Sequence, residues 1–179
     1  MRVFKAIFSI GATAVLISGC IGGTGSNGDS DSTPEPSPFP TESAKLLSDF
    51  EDLSGLIIPS NASDLEIEPK YLEGGRPRYK LRFLTTRGGA EVICTGENIG
   101  VYDSDGPPDE EQHDLFDIRE ADETIAETVE CRGSHPTNGR VQRTVVVLFP
   151  KDGLKKKDGE PDGKDSAIVY AYSVMWPSR

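Results

Sequence analysis

The residues of this chain best suited to covalent chemistry are its three cysteines, Cys20, Cys94 and Cys131. A cysteine thiolate is a strong nucleophile, and two thiols can form a disulfide under oxidising conditions. Cys20 has a distinctive setting, because it follows a cationic start, an apolar run and two small residues. These features are typical of a targeting segment, so we expect residues 1–19 not to belong to the folded domain.

The apolar run extends from Ala6 to Ile17, whereas a helix needs roughly 20 residues to cross the hydrocarbon core of a bilayer. We therefore expect cleavage rather than a permanent transmembrane helix. The sequence Ile17-Ser18-Gly19-Cys20 resembles the lipobox of bacterial lipoprotein signal peptides, in which an aliphatic residue and two small residues precede an obligatory cysteine. The resemblance implies that Cys20 receives a diacylglyceryl group and becomes the mature N-terminus. The alternatives are an ordinary secretory signal or a buried N-terminal helix.

A lipid-modified Cys20 would leave Cys94 and Cys131 as the two free thiols of an exported domain. Oxidising conditions outside the cytoplasm favour a disulfide between them. The alternative is a pair of buried free cysteines. Two acyl chains on Cys20 would hold the protein stably at the membrane, so we expect a lipid-anchored protein on the extracytoplasmic side of the cell membrane.

The charge of the chain excludes several classes of partner. The formal net charge is −11, and removal of a leader that contains Arg2 and Lys5 would make the mature chain more acidic still. Nucleic acids and anionic lipid head groups both require a basic surface, so we expect neither as a partner. Residues 20–43 are rich in Gly, Ser and Pro and predict a flexible linker, which leaves residues 44–179 as a single domain.

Other residues that could do chemistry give weaker patterns. The segment Asp103–Gly106 is similar to the start of a calcium loop, but Pro107-Pro108 interrupts the pattern that such a loop needs. His113 and His135 are the only histidines, and zinc would need further nitrogen or sulfur ligands. Ser134 precedes His135, but adjacent residues seldom orient correctly for base catalysis. We therefore predict no catalytic residue, no metal site and no cofactor.

Two further groups could bind ligands. The basic run Lys155–Lys157 could bind an anionic wall polymer, but neighbouring acids nearly cancel its charge and favour a solvated loop. Tyr170, Tyr172 and Trp176 recur at a period of two and could form an exposed platform. A strand face directed at the core is the preferred interpretation.

The elements that position these residues follow from hydrophobic periodicity. Apolar residues at helical spacing predict a helix over residues 44–53. Alternating or β-branched segments predict four strands, at residues 64–68, 79–85, 142–149 and 167–176. The last two would form a hairpin with a solvated tip over residues 151–165.

The intervening chain is harder to assign. Residues 89–98 suit a short helix or a strand, and the helix is preferred because a glycine follows. Residues 101–123 predict a long acidic surface loop in which Leu115, Phe116 and Ile118 contact the core. Residues 120–131 predict a second short helix, and a strand is the alternative because Thr124, Thr128 and Val129 are weak helix formers. The fold class is therefore α+β, with an antiparallel sheet of about four strands and one to three short helices.

The chain resembles small lipoproteins of actinobacteria in the order of its elements: a helix, Ile58-Pro59 with a turn, a strand, an aromatic strand and a short helix. This resemblance implies only the order of elements and the location. The expected function is that of a non-enzymatic binding or interaction module, with an envelope protein or wall ligand as partner. One alternative is a small cell-wall hydrolase that uses carboxylates of the segment Asp103–Glu111. The other is an accessory subunit of a transporter or sensor complex.

Overall fold

A computed structural model describes residues 43–154 and 165–178. This part of the chain has an α+β fold. Its antiparallel strands are β1 (Ser63–Leu72), β2 (Arg76–Thr86), β3 (Ile99–Asp105), β4 (Ile125–Ser134), β5 (Val141–Pro150) and β6 (Ser166–Met175). Its helices are α1 (Ser43–Ser54), α2 (Arg87–Cys94), α3 (Glu110–Phe116) and a 3-10 turn at Asp122–Thr124. The predicted signal peptide, Cys20 and nearly all of the predicted linker lie outside the described residues.

All six strands belong to one sheet, in the order β1-β2-β6-β5-β4-β3, and every neighbouring pair is antiparallel. The two central strands, β5 and β6, are apolar on both sides because both faces of the sheet are covered there. Val147 lies opposite Val169, which confirms the predicted pairing of these strands. The tip of the hairpin, residues 155–164, lies outside the described residues.

The two faces of the sheet carry different helices. Helices α1 and α2 pack on one face, here called the α1–α2 face, where Phe50 and Ile93 contact a core that includes Phe83. Helix α3 packs on the opposite face, here called the α3 face, where Phe116 joins a second cluster with Ile168. The predicted contact of Leu115, Phe116 and Ile118 with the core is confirmed.

Strand β3 extends from Ile99 into the segment 101–123 and ends at Asp105, so the prediction of a continuous surface loop there is wrong. Its position at the edge of the sheet explains how a strand can contain Asp103 and Asp105, because five of its seven residues are exposed. The same segment also contains α3. A reciprocal capping box between Asp109 and Gln112 begins this helix by satisfying two backbone N–H groups.

The prediction of a helix over residues 120–131 is also wrong, because most of this segment is strand β4 and only Asp122–Thr124 is helical. Ile125 and Val129, which would share one face of a helix, contact the clusters on opposite faces of the sheet. Thr128 and Val129 are β-branched and fit a strand better than a helix. Strands β3 and β4 therefore raise the number of strands from the predicted four to six.

The remaining elements follow the predictions closely. Helix α2 confirms the preferred helical assignment near residues 89–98, but it begins two residues earlier and ends at Cys94. Thr86 caps its first turn by accepting a hydrogen bond from the Gly89 backbone N–H. Strand β2 alternates as predicted, with Leu81 and Phe83 fully buried on the α1–α2 face.

Candidate binding groove

An open groove lies on the α1–α2 face between α2 and the strands β3, β4 and β5. Its floor is apolar because three neighbouring strands contribute Val101, Val129, Val147 and Phe149. The wall on the other side is formed by α2, through Ala90 and Cys94. The cavity has a volume of about 290 Å³ and opens to solvent. The part of the floor next to β3 is open to solvent, because Val101 is exposed.

A disulfide joins the two sides of the groove. Cys94 of α2 is bonded to Cys131 of β4, as the sequence predicts, with their Cα atoms 5.6 Å apart. Both residues are buried, and Cys131 lies directly opposite Val101 in the sheet. The bond therefore holds the helical wall at a fixed distance from the floor.

One end of the groove is closed by Arg87. Its guanidinium lies over the ring of Phe149, 3.7 Å from the centroid, and donates hydrogen bonds of 3.2 and 2.8 Å to the two carboxylate oxygens of Glu127. These bonds lower the pKa of Glu127 and keep it ionised at neutral pH. Sequence reasoning missed Arg87, because neither its partner Glu127 nor Phe149 is near it in sequence.

The other side of the groove is the edge strand β3. Val101 is 54 % exposed, so an apolar side chain lies at the open margin of the groove. Asp103, on the same face, lines the groove beside it. Neither Asp103 nor Asp105 forms a salt bridge with any residue of ranges 43–154 and 165–178. The groove is therefore apolar along its floor and anionic along its outer margin.

A second cavity, of about 220 Å³, lies on the α3 face and is lined mainly by charged residues that already have partners. Arg82 donates a 2.8 Å hydrogen bond to Glu120, and the Tyr170 hydroxyl donates one of 2.6 Å to the same carboxylate. Burial raises the pKa of Glu120, but these two hydrogen bonds and the charge of Arg82 outweigh it and leave the pKa below its usual value. This network attaches the segment after α3 to the sheet.

The direction of the carboxyl pKa shifts bears on the hydrolase alternative. The pKa values of Glu66 and Asp117 are lowered chiefly by hydrogen bonds from Arg119 and Lys80. Every carboxyl with a shifted pKa among the described residues is shifted downward. A carboxyl that acts as a general acid at neutral pH needs a raised pKa. The lowered pKa values therefore do not support the hydrolase alternative.

Arg143 is the largest fully buried side chain of the described residues, with 1 % exposure. It donates hydrogen bonds to three backbone carbonyls, those of Ser54 at the end of α1, Glu97 in the turn that follows α2, and Ser134 at the end of β4. Burial lowers its pKa, but a guanidinium remains charged in proteins. The Ser54 carbonyl at the C-terminus of α1 carries partial negative charge, and all three carbonyls are protein groups, so Arg143 stabilises the fold rather than a ligand.

The remaining candidates are not brought together. His113 of α3 lies 2.9 Å from the Asp122 carboxylate on the α3 face, whereas His135 follows β4 and lies beside Gly55 at the end of α1. In the segment Asp103–Gly106, residues 103–105 are the end of the edge strand β3 rather than part of a loop around a cation. In residues 43–154 and 165–178, no three His, Cys, Asp or Glu side chains converge as metal ligands.

The aromatic side chains of β6 divide between two environments. Tyr170 is buried and contacts Phe116, as does Tyr172, so both face the core as predicted. Trp176 is 53 % exposed, so the prediction is wrong for this residue. It lies beyond the end of β6, where its carbonyl accepts hydrogen bonds from the Arg140 guanidinium. The three residues therefore do not form one platform. The run Lys155–Lys157 lies outside the described residues.

Comparison with known proteins gives no family for this geometry: the chain matches no family model, and no curated protein or solved structure matches it significantly. No helix among the described residues is long and apolar enough to span a bilayer.

Proposed function

We propose that the chain is a lipid-anchored, extracytoplasmic binding module that presents the groove between α2 and β3 to a partner in the cell envelope. The groove is the observation that carries this proposal. An apolar floor with a few charged groups at its margins is the usual composition of a binding site, because apolar contact supplies affinity and charges supply orientation. The lipobox resemblance at Ile17–Cys20 supports the location.

The construction of the groove supports binding rather than catalysis. The disulfide and the Arg87–Glu127 pair fix its wall and one end before any partner arrives. Such preorganisation lowers the entropic cost of association. The carboxyls with shifted pKa values, Glu66, Asp117, Glu120 and Glu127, are all engaged in ion pairs that lower their pKa.

A photo-crosslinking amino acid at Val101 tests the proposal in native membranes of cells that produce the full chain. The matched control carries the same amino acid at Leu65, an exposed apolar residue of β1 at the opposite edge of the sheet. We expect an adduct from position 101 and none from position 65, and Thr95→Trp should reduce the yield by placing a large ring at the groove.

Two results would count against the proposal. Equal adducts from both positions, or adducts from position 101 that are insensitive to Thr95→Trp, would show that the groove does not select a partner. The location is tested separately with Cys20→Ala, which should leave the precursor unprocessed in size and without lipid. Processing and membrane fractionation identical to those of the native chain would contradict the anchor.

A further inference from the structure

Strand β3 leaves one edge of the sheet open for pairing. It is the last strand in the order β1-β2-β6-β5-β4-β3, and within residues 43–154 and 165–178 only β4 pairs with it. An antiparallel strand directs the N–H and C=O groups of alternate residues away from its neighbour, so an edge of this length can accept another strand. The open edge borders the groove.

The opposite edge of the sheet has features that natural proteins use to prevent an edge strand from pairing with another chain. Strand β1 contains Pro69, which has no backbone N–H to donate. Its Glu66 is engaged by both Arg82 and Arg119, which extend across this end of the α3 face. Strand β3 contains no proline, and its carboxylates form no ion pair with residues 43–154 or 165–178, although both strands are exposed. The β3 edge is therefore guarded by the charges of Asp103 and Asp105 alone, which would repel an acidic segment and admit a cationic one.

The side chains at the β3 edge specify what would pair with it. On the α1–α2 face they are Val101, then Asp103 and Asp105, at alternate positions of the strand. Both carboxylates are exposed and lack a salt bridge among the described residues, so each can pair with an added cation. Directly opposite side chains in neighbouring strands interact, and opposite charges stabilise such a pair. A second copy of this chain would add to the −11 charge rather than neutralise it.

We infer that the β3 edge accepts an extended, cationic segment of a partner protein as a seventh strand of the sheet. Main-chain hydrogen bonds to β3 would supply part of the affinity, and an apolar side chain beside Val101 would enter the margin of the groove. Lysine or arginine residues at the next alternate positions would face Asp103 and Asp105. This inference rests on the proposed function, because it names the chemistry of the partner that the groove would take.

The test uses the full lipidated chain in detergent micelles and a fluorescent peptide with the sequence Thr-Lys-Thr-Lys-Thr-Val-Thr, which in an antiparallel register places Val opposite Val101 and the two lysines opposite Asp103 and Asp105. Fluorescence anisotropy measures the dissociation constant. One control peptide has Glu in place of Lys, and a second carries N-methyl groups on alternate backbone nitrogens, so that it cannot pair along one edge. We expect binding of the first peptide alone, and weaker binding as the ionic strength is raised.

Matched variants locate the site. Val101→Lys places a cation at the β3 edge and should weaken binding at least tenfold, whereas Leu65→Lys makes the same charge change at the opposite edge and should have less than a twofold effect. Asp103→Asn combined with Asp105→Asn should weaken binding about two- to thirtyfold, the range for two cross-strand ion pairs. Because the substituted positions are exposed, these variants should have nearly the melting temperature of the wild type. A loss of binding can therefore be distinguished from unfolding.

Strand addition would be overturned by equal binding of the N-methylated peptide, or by equal effects of Val101→Lys and Leu65→Lys. Self-association that Val101→Lys abolishes, seen by sedimentation without peptide, would overturn the cationic partner in favour of a second copy. Absence of peptide binding while the position-101 crosslink persists would overturn this inference and leave the proposed function standing. Loss of both signals would overturn both.

Discussion

Replacement of both Cys94 and Cys131 by alanine is expected to lower the free energy of unfolding by about 4 kcal/mol at 25 °C. The two residues are separated by 37 positions, so the bond closes a long loop that includes β3 and α3. In the chain-entropy treatment, such a bond stabilises the fold by restricting the unfolded chain, and the effect grows slowly with loop length. Loss of packing at these buried positions adds to the cost of the alanine variant.

Urea unfolding of the full chain, followed by circular dichroism, measures this difference. Wild type reduced with a phosphine is the informative control, because it loses the bond and keeps both sulfur atoms. We expect the reduced wild type to lose most of the stability lost by the double variant. The slope of its unfolding free energy against urea concentration should also be steeper, since a chain without the crosslink exposes more surface on unfolding. A loss below about 1 kcal/mol with an unchanged slope would refute the entropic reasoning.

Three further predictions concern stability. Arg143→Met should cost about 2–4 kcal/mol in urea unfolding, because it leaves buried backbone carbonyls without a donor; a change below 1 kcal/mol, similar to that of the exposed control Arg140→Met, would contradict this role. The lowered pKa of Glu120 makes its carboxylate stabilising at neutral pH, and this contribution is lost as the pH falls below the usual glutamate value through the folded-state pKa. Glu120→Gln should therefore destabilise the protein at pH 7 more than at pH 3, and an equal effect at both would count against the network. Asp109→Ala should cost about 1 kcal/mol by removing the cap of α3, whereas a gain in melting temperature would show that the cap is unimportant.

The sequence was informative where burial governs the choice of residues. The central strands β5 and β6 contain runs such as Val145–Phe149, whose composition suits a sheet covered on both faces. The amphipathic helix α1 and the alternation of β2 were predicted for the same reason. The disulfide between Cys94 and Cys131 followed from the expected location and the number of cysteines rather than from geometry.

The edge of the sheet could not be predicted in the same way. Strand β3 is largely exposed, so Asp103 and Asp105 cost little there and conceal the strand pattern in the sequence. The alternation of β4 is disturbed by a register shift between Ile125 and Glu127, which made its first residues suit a helix. The groove itself depends on contacts between distant segments, such as Arg87 with Phe149. The one local signal was Val101, an apolar residue at the start of an acidic segment.

The capping box of α3 was present in the sequence as Asp109 followed three residues later by Gln112. It was obscured because Pro107-Pro108 and a run of acids precede the helix and are typical of loops. Acidic residues in the first turn of a helix are in fact favourable, since they lie near the positive end of the helix dipole. The segment 107–112 is therefore compatible with a loop or with the start of a helix, and the contact of Phe116 with the core decides for the helix.

The measurement that tests the central proposal most directly is the intact mass of the protein purified from its native membranes, before and after reduction. The account predicts a chain that begins at Cys20 and carries a diacylglyceryl group, and that gains the mass of two hydrogen atoms on reduction. That result would place the folded domain outside the cytoplasm with its disulfide formed. An unlipidated chain that retains Met1 would contradict the anchor and the location, and with them the proposal of an envelope binding module.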